Sequence, residues 1–211
     1  MSSFCLGDSI AGAWLAPNFC AYPVPIDVDQ ARSVESVGTA DFLALERGSQ
    51  SVVYFHDADG DGLADSRHVL AAGWELNHGM GLLDGYLYAS SSTHVYRWPL
   101  ATSEEEITLT EGNSTTTITR TVIDFLAPPL TREPETVVDN INEDGQGGAP
   151  FGHTTRTLAF DDQGRLYVSV GSAGNVDADS FRSRIRRFDI SDPSTFPIDF
   201  LTGLVFADGL R

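Results

Sequence analysis

The chain has 211 residues, 13 basic and 30 acidic, for a formal net charge of −17, and every basic residue is an arginine. With no lysine it supplies neither a Schiff-base nor a P-loop lysine, and a charge of this sign repels nucleic acids and anionic membranes. Apolar residues make up 41% and charged residues 20%, enough to bury a core, and no apolar run nears the roughly 18 residues that span a bilayer.

Residues 1–30 read as a lead-in segment and 31–211 as one domain. The lead-in holds Cys5 and Cys20. Two readings of them stand: a staple closing a loop of about 16 residues, worth roughly 3 kcal/mol, or two unpaired thiols. The first 16 residues lack the basic start of a secretory signal, and Asp8 interrupts their apolar stretch. Asn113-Ser114-Thr115 is a glycosylation sequon, which matters only for a secreted chain.

Beyond the lead-in the texture is all-β. Runs that alternate or favour β-formers predict strands at 41–45, 51–55, 85–89, 94–98, 116–125, 157–160, 165–170 and 184–189. Turn signals separate them: Asp59-Gly60-Asp61-Gly62, Asp84-Gly85 and Asp162-Gln163-Gly164. Residues 101–118 are polar and Ser/Thr-rich, a loop or an extended hairpin. No long window carries the 3.6-residue period of an amphipathic helix.

The strands repeat. Asp84-Gly85-Tyr86-Leu87-Tyr88-Ala89-Ser90 matches Gln163-Gly164-Arg165-Leu166-Tyr167-Val168-Ser169, 79 residues later, and a weaker copy begins at Thr39. Each copy is a turn, an alternating strand and a second strand. A period of about 40–45 residues is that of a four-stranded propeller blade, and it divides the chain into four to five units. A β-sandwich is the alternative.

Asp57-Ala58-Asp59-Gly60-Asp61-Gly62-Leu63-Ala64-Asp65 carries the sharpest metal signal. Asp57, Asp59, Asp61 and Asp65 fall at positions 1, 3, 5 and 9 of a calcium loop, with glycine at position 6. Position 12, where a bidentate glutamate belongs, is His68. The run is therefore an incomplete structural calcium site or an acidic turn between two strands. His56 and the pair Asn77-His78 lack a third ligand at metal spacing and read as core or loop histidines. Arg182, Arg184, Arg186 and Arg187 form a basic stripe whose alternate members face one way, expected to pair with the abundant aspartates.

The most specific block begins at Gly152-His153-Thr154-Thr155-Arg156-Thr157-Leu158. It continues through Gly164-Arg165-Leu166-Tyr167-Val168-Ser169-Val170-Gly171-Ser172-Ala173-Gly174-Asn175-Val176-Asp177 to Arg182-Ser183-Arg184-Ile185-Arg186-Arg187-Phe188. Together these runs resemble the glucose/sorbosone dehydrogenase family, six-bladed propellers that bind pyrroloquinoline quinone (PQQ). Leu76-Asn77-His78-Gly79-Met80-Gly81-Leu82 and Phe42-Leu43-Ala44-Leu45-Glu46-Arg47-Gly48 fit the same family less specifically, and the resemblance covers roughly 30–211.

The resemblance implies a partial six-bladed β-propeller with about four blades present. It implies PQQ and calcium as cofactors, a sugar or sugar aldehyde as substrate, an electron acceptor the sequence does not identify, and a secreted or periplasmic setting. Oxidising such a substrate needs a base for the O–H proton while hydride leaves carbon, and histidine suits that task near neutral pH. By resemblance His153 is that base. Arg211, within Gly209-Leu210-Arg211, and Asn77 fall at the cofactor.

Two departures from the family stand out. Where the glucose dehydrogenase branch has an aspartate to orient the histidine, this chain has Ser172, as the sorbosone branch does. The sequence also stops at Arg211, before the blades that carry the family's cofactor calcium ligands, so a fragment is expected. Two rival readings remain: a non-catalytic propeller that binds a partner or glycan, and a calcium-dependent lactone hydrolase, for which Glu46 and Asn175 are the residues on offer.

Overall fold

The computed structural model describes residues 10–17, 19, 21, 23–24, 26–38, 41–111, 114–124, 132–141, 153–176 and 183–205. Within 31–72 the chain makes β1 (Ala31–Val37), β2 (Asp41–Glu46), β3 (Ser51–His56) and β4 (Ser66–Ala72), an antiparallel sheet in chain order. The sequences of β2 and β3 are nearly continuous apolar runs because both faces of these strands are covered. Successive residues point to opposite faces. Leu43, Leu45 and Tyr54 join one core cluster, while Ala44, Val53 and Phe55 join another.

The second sheet starts with β5 (Met80–Leu83), β6 (Tyr86–Ser90) and β7 (Val95–Pro99). Asp84 and Gly85, both at positive φ (48° and 74°), make the two-residue turn that joins β5 to β6. The chain then runs out into a hairpin, β8 (Thr102–Glu111) and β9 (Ser114–Ile123), and returns as β10 (Glu135–Asp139), antiparallel to β7. The third sheet is β11 (Leu158–Phe160), β12 (Leu166–Val170) and β13 (Arg184–Phe188), with β15 (Leu204–Val205) on the far side of β13. Before β15, the short β14 (Ile198–Asp199) crosses back to pair in parallel with β10.

The three sheets share their faces. One cluster joins Leu43, Leu45 and Val52 of the first sheet to Leu87 and Trp98 of the second. Another joins Tyr88, Val95 and Val138 of the second to Leu166, Val168 and Phe188 of the third. Strand β6 feeds both clusters, Leu87 to one and Tyr88 to the other, as the two-residue period of a strand requires.

All eight predicted strands form, each within a few residues of its expected bounds. The polar stretch 101–118 is the extended hairpin: β8 and β9 pair continuously from Thr102↔Ile123 to Glu111↔Ser114. Three four-strand antiparallel meanders lie among the described residues, against the four or so units of the repeat arithmetic. That arithmetic spread the repeat over the whole length, whereas the lead-in and the inserted hairpin take up about one unit of chain.

The hairpin is anchored on the first sheet. The Ile123 N–H donates to the Tyr54 hydroxyl at 3.3 Å, and Ile107 and Leu109 lie over Gly60 of the acidic loop. A Cβ at Gly60 would sit 2.6 Å from Leu109 and 2.7 Å from Ile107, and the residue's φ of 77° adds a second reason for glycine there. No helix among the described residues is long and apolar enough to cross a membrane.

Candidate functional site

His153 lies on the extended segment that leads into β11. Its N–H donates to the Ser172 carbonyl at 3.1 Å, so the segment runs beside the loop that follows β12. Two bonds between Thr157 and Ser169 continue this pairing: Ser169 N–H to the Thr157 carbonyl at 3.0 Å and Thr157 N–H to Ser169 Oγ at 2.9 Å. Gly171 makes the close approach possible. A Cβ there would stand 2.5 Å from His153 Cβ and 3.0 Å from its carbonyl oxygen.

Both ring nitrogens of His153 have partners. Nδ1 is 3.2 Å from Ser172 Oγ, and Nε2 is 3.1 Å from the Asn175 side-chain oxygen. The Ser172 hydroxyl donates to the Gly174 carbonyl at 2.6 Å. Ser172, which stands where the glucose dehydrogenase branch has an aspartate, thus contacts the ring without a carboxylate's charge.

Arg156 supports this segment from beneath and is fully buried. Its guanidinium donates to the carbonyls of His153 and Thr155, each at 3.0 Å, and to the Ser92 carbonyl at 3.1 Å. Burial, then the nearby Arg184 cation, push its pKa down to about 10, which leaves it charged at neutral pH. The motif contained Arg156, but its place in the block did not reveal this role. Ser92 comes from the second sheet, 64 residues earlier, and only the packed sheets bring it near.

The exposed side of His153 opens into a cavity of about 370 Å³, lined also by Thr155, Val170, Ser172, Arg184 and Ile185. Arg184 is buried, with its guanidinium 5.2 Å from the centre of the Phe200 ring. On a chain of net charge −17, this cavity gathers cationic and hydroxyl groups. Arg186, facing the same way, sits 4.8 Å from the Phe200 ring centre and donates to the Phe200 carbonyl at 2.6 Å. Among the described residues the inward members of the basic stripe thus meet an aromatic ring and a backbone carbonyl.

Asn77 also reaches this region. Its Nδ2 donates to the Thr154 carbonyl at 3.4 Å, and its Oδ1 is buried without a hydrogen-bond partner among the described residues. Burial, reinforced by Arg32, holds the neighbouring His78 imidazole below its ordinary pKa. Arg211, Arg182, Asn113 and the two cysteines lie outside the described residues.

The acidic loop stands apart, on the first sheet between β3 and β4. Carboxylate oxygens of Asp57, Asp59 and Asp61 come within 4.8 Å of one another. The loop folds on its own N–H groups: Asp57 accepts from Gly60 and Gly62 at 2.7 and 2.8 Å, Asp59 from Asp61 at 3.1 Å, and Asp61 from Leu63 at 2.7 Å. Asp65 is not in that cluster. Its Oδ2 closes the loop by accepting from Ala58 and Asp59 at 2.8 and 3.3 Å.

His56, beside the loop, bonds to Asp41 at 2.9 Å, and Tyr54 bonds to the same buried carboxylate. Burial and that carboxylate push the Tyr54 hydroxyl pKa well up. Glu46 is buried and bonded to Arg67 at 2.6 Å and Ser49 at 2.8 Å, whereas Asn175 contacts His153.

The profile of the family described as TrAA12-like matches residues 13–211. No curated protein matches the chain. A solved structure, the holo form of the pyranose dehydrogenase PQQ domain from Coprinopsis cinerea, is similar with a TM-score of 0.59 and 22% sequence identity. The match covers 87% of this chain and 39% of that one, so the chain spans about two-fifths of its length. At this identity the likeness is one of fold.

Proposed function

This chain belongs to the TrAA12-like family, and from that premise we propose that it forms part of a quinoprotein oxidoreductase that oxidises a sugar or sugar aldehyde with PQQ. The observation that carries the reading is His153, oriented through both ring nitrogens at the mouth of a cavity that also holds a buried arginine. The donor set suits an anionic quinone. Arg184 supplies positive charge and Thr155 a hydroxyl. Asn77 Oδ1, buried without a partner among the described residues, is an acceptor and would serve only a donor on the ligand.

PQQ supplies the two-electron acceptor when bound. The chain's own part is to bind, orient and take a proton. His153 receives the substrate's hydroxyl proton. Arg184 holds negative charge in the cavity by direct attraction in a poorly hydrated setting. Arg156 keeps the His153 segment fixed from below, so that the base is already in place when substrate arrives. Asn77 and Arg211 are proposed as further cofactor contacts.

The test reconstitutes the protein carrying this chain with PQQ and calcium, and follows dye reduction with a panel of aldoses and aldehydes. The reading expects quinone binding and substrate-dependent reduction. A protein that binds no quinone and reduces no dye would instead be a propeller that binds a partner.

Asp57, Asp59 and Asp61 are proposed as a structural calcium site. Their hard oxygen donors suit calcium, and water would complete the six to eight ligands that the ion takes. Free calcium at 100 times its dissociation constant then stabilises the fold by about 2.7 kcal/mol, a rise in melting temperature of roughly 5–10 °C. Chelator should reverse that rise and Asp59→Ala should abolish it. Calorimetry with no calcium-dependent shift would leave the loop as a turn held by its own N–H groups.

A further inference from the structure

We propose that Asn175 is a positioning residue that acts with Ser172 to fix the tautomer of His153, leaving Nε2 as the atom that takes the proton; this rests on His153 being the base of the reaction proposed above. The argument is a count of hydrogens. Ser172 has one hydroxyl proton and spends it on the Gly174 carbonyl at 2.6 Å. Toward His153 Nδ1, 3.2 Å away, its oxygen can therefore only accept. Nδ1 then carries the ring hydrogen, and in the neutral imidazole Nε2 holds the lone pair.

Asn175 faces that lone pair at 3.1 Å. Two acceptors cannot bond, so beside a neutral ring the amide presents its NH₂ group, and beside an imidazolium it presents its oxygen. A half-turn of one amide thus serves both protonation states. A carboxylate could serve only the charged state, and an alanine neither.

The charged groups placed against His153 among the described residues are both cations. Arg156 donates to its carbonyl, and Arg184 lines the same cavity. With Ser172 where a carboxylate could stand, the two ring contacts offered to an imidazolium are neutral acceptors, Ser172 Oγ and the Asn175 oxygen. Asn175 is exposed, on the open side of the ring. An incoming substrate hydroxyl displaces its NH₂ from Nε2. The O–H bond breaks, the Nε2–H bond forms, and the amide oxygen can then accept that new hydrogen.

The test needs neither cofactor nor activity. Long-range ¹H–¹⁵N spectra of the imidazoles in the labelled chain, recorded through the titration of His153, report which nitrogen carries the hydrogen. Neutral His153 is expected as the Nδ1–H tautomer. Ser172→Ala should shift it toward Nε2–H. Asn175→Asp should raise the His153 titration midpoint by about 1–3 pH units, because it places a carboxylate beside Nε2. Asn175→Ala should lower that midpoint and move the Nε2 resonance, and Asn175→Gln should restore much of both.

Unchanged backbone amide spectra would show that each variant keeps the fold, as expected for an exposed loop side chain. A wild-type ring with its hydrogen on Nε2 would overturn the proposal. So would ring resonances and a midpoint that stay put in Asn175→Ala. A protein that shows the expected tautomer but reduces no dye would count against the dehydrogenase reading alone.

Discussion

His153→Ala in the PQQ-loaded protein should lower turnover by about 10²–10⁴-fold, the usual contribution of a positioned general base, while quinone binding should survive. The separation follows from the layout of the site. Positive charge and a hydroxyl in the cavity come from Arg184 and Thr155, whereas Ser172 is bonded to the imidazole and to the Gly174 carbonyl. Removing the ring therefore takes away a proton acceptor and leaves the anion-binding groups in position. Arg211→Ala should behave differently, weakening cofactor binding and turnover together. Steady-state dye reduction, set beside a quinone titration of the same variants, checks both. Wild-type turnover in His153→Ala would remove histidine from the proton transfer.

Arg156→Met costs about 3 kcal/mol of stability. The guanidinium, itself fully buried, donates to three part-buried carbonyls, those of Ser92, His153 and Thr155. A carbonyl left fully buried and unpaired costs roughly 1–3 kcal/mol, and a part-buried one the lower end of that range. Part of that loss is recovered, because a buried cation is itself costly; the lowered pKa, pushed down to about 10 by burial, reports that cost. Methionine fills much of the vacated volume, so the cavity contribution stays small. Urea unfolding should show the midpoint fall by roughly 1–2 M with little change in slope. An unchanged midpoint would mean that water reaches those carbonyls as readily as the guanidinium does. Because Arg156 ties the His153 segment to the second sheet, the same variant should also loosen the candidate site.

The sequence by itself determined what is local. The alternation in β6 and β12 and the Asp84-Gly85 turn place those strands and that turn, because a period of two and a positive φ are properties of short stretches of chain. The repeat of turn and strand made three of the meanders' central hairpins legible, and the block around His153 marked the candidate site. The four-residue β5 is too short for a pattern, and β1 and β10 lack a clear apolar alternation; all three form beside neighbouring strands that pair with them.

The tertiary structure decided which side chains meet. Arg184 and Arg186 occupy buried positions because β13 turns them toward Phe200, which comes from a turn beyond the strand. His153 reaches Ser172 and Asn175 because the pairing of β11 with β12 sets Leu158 opposite Val168, which lays the segment before one strand beside the loop after the other. Arg156 finds the Ser92 carbonyl only because two sheets share a core. Register and sheet stacking are long-range choices, made by the sum of pairings across the whole chain, and no local window of sequence contains them.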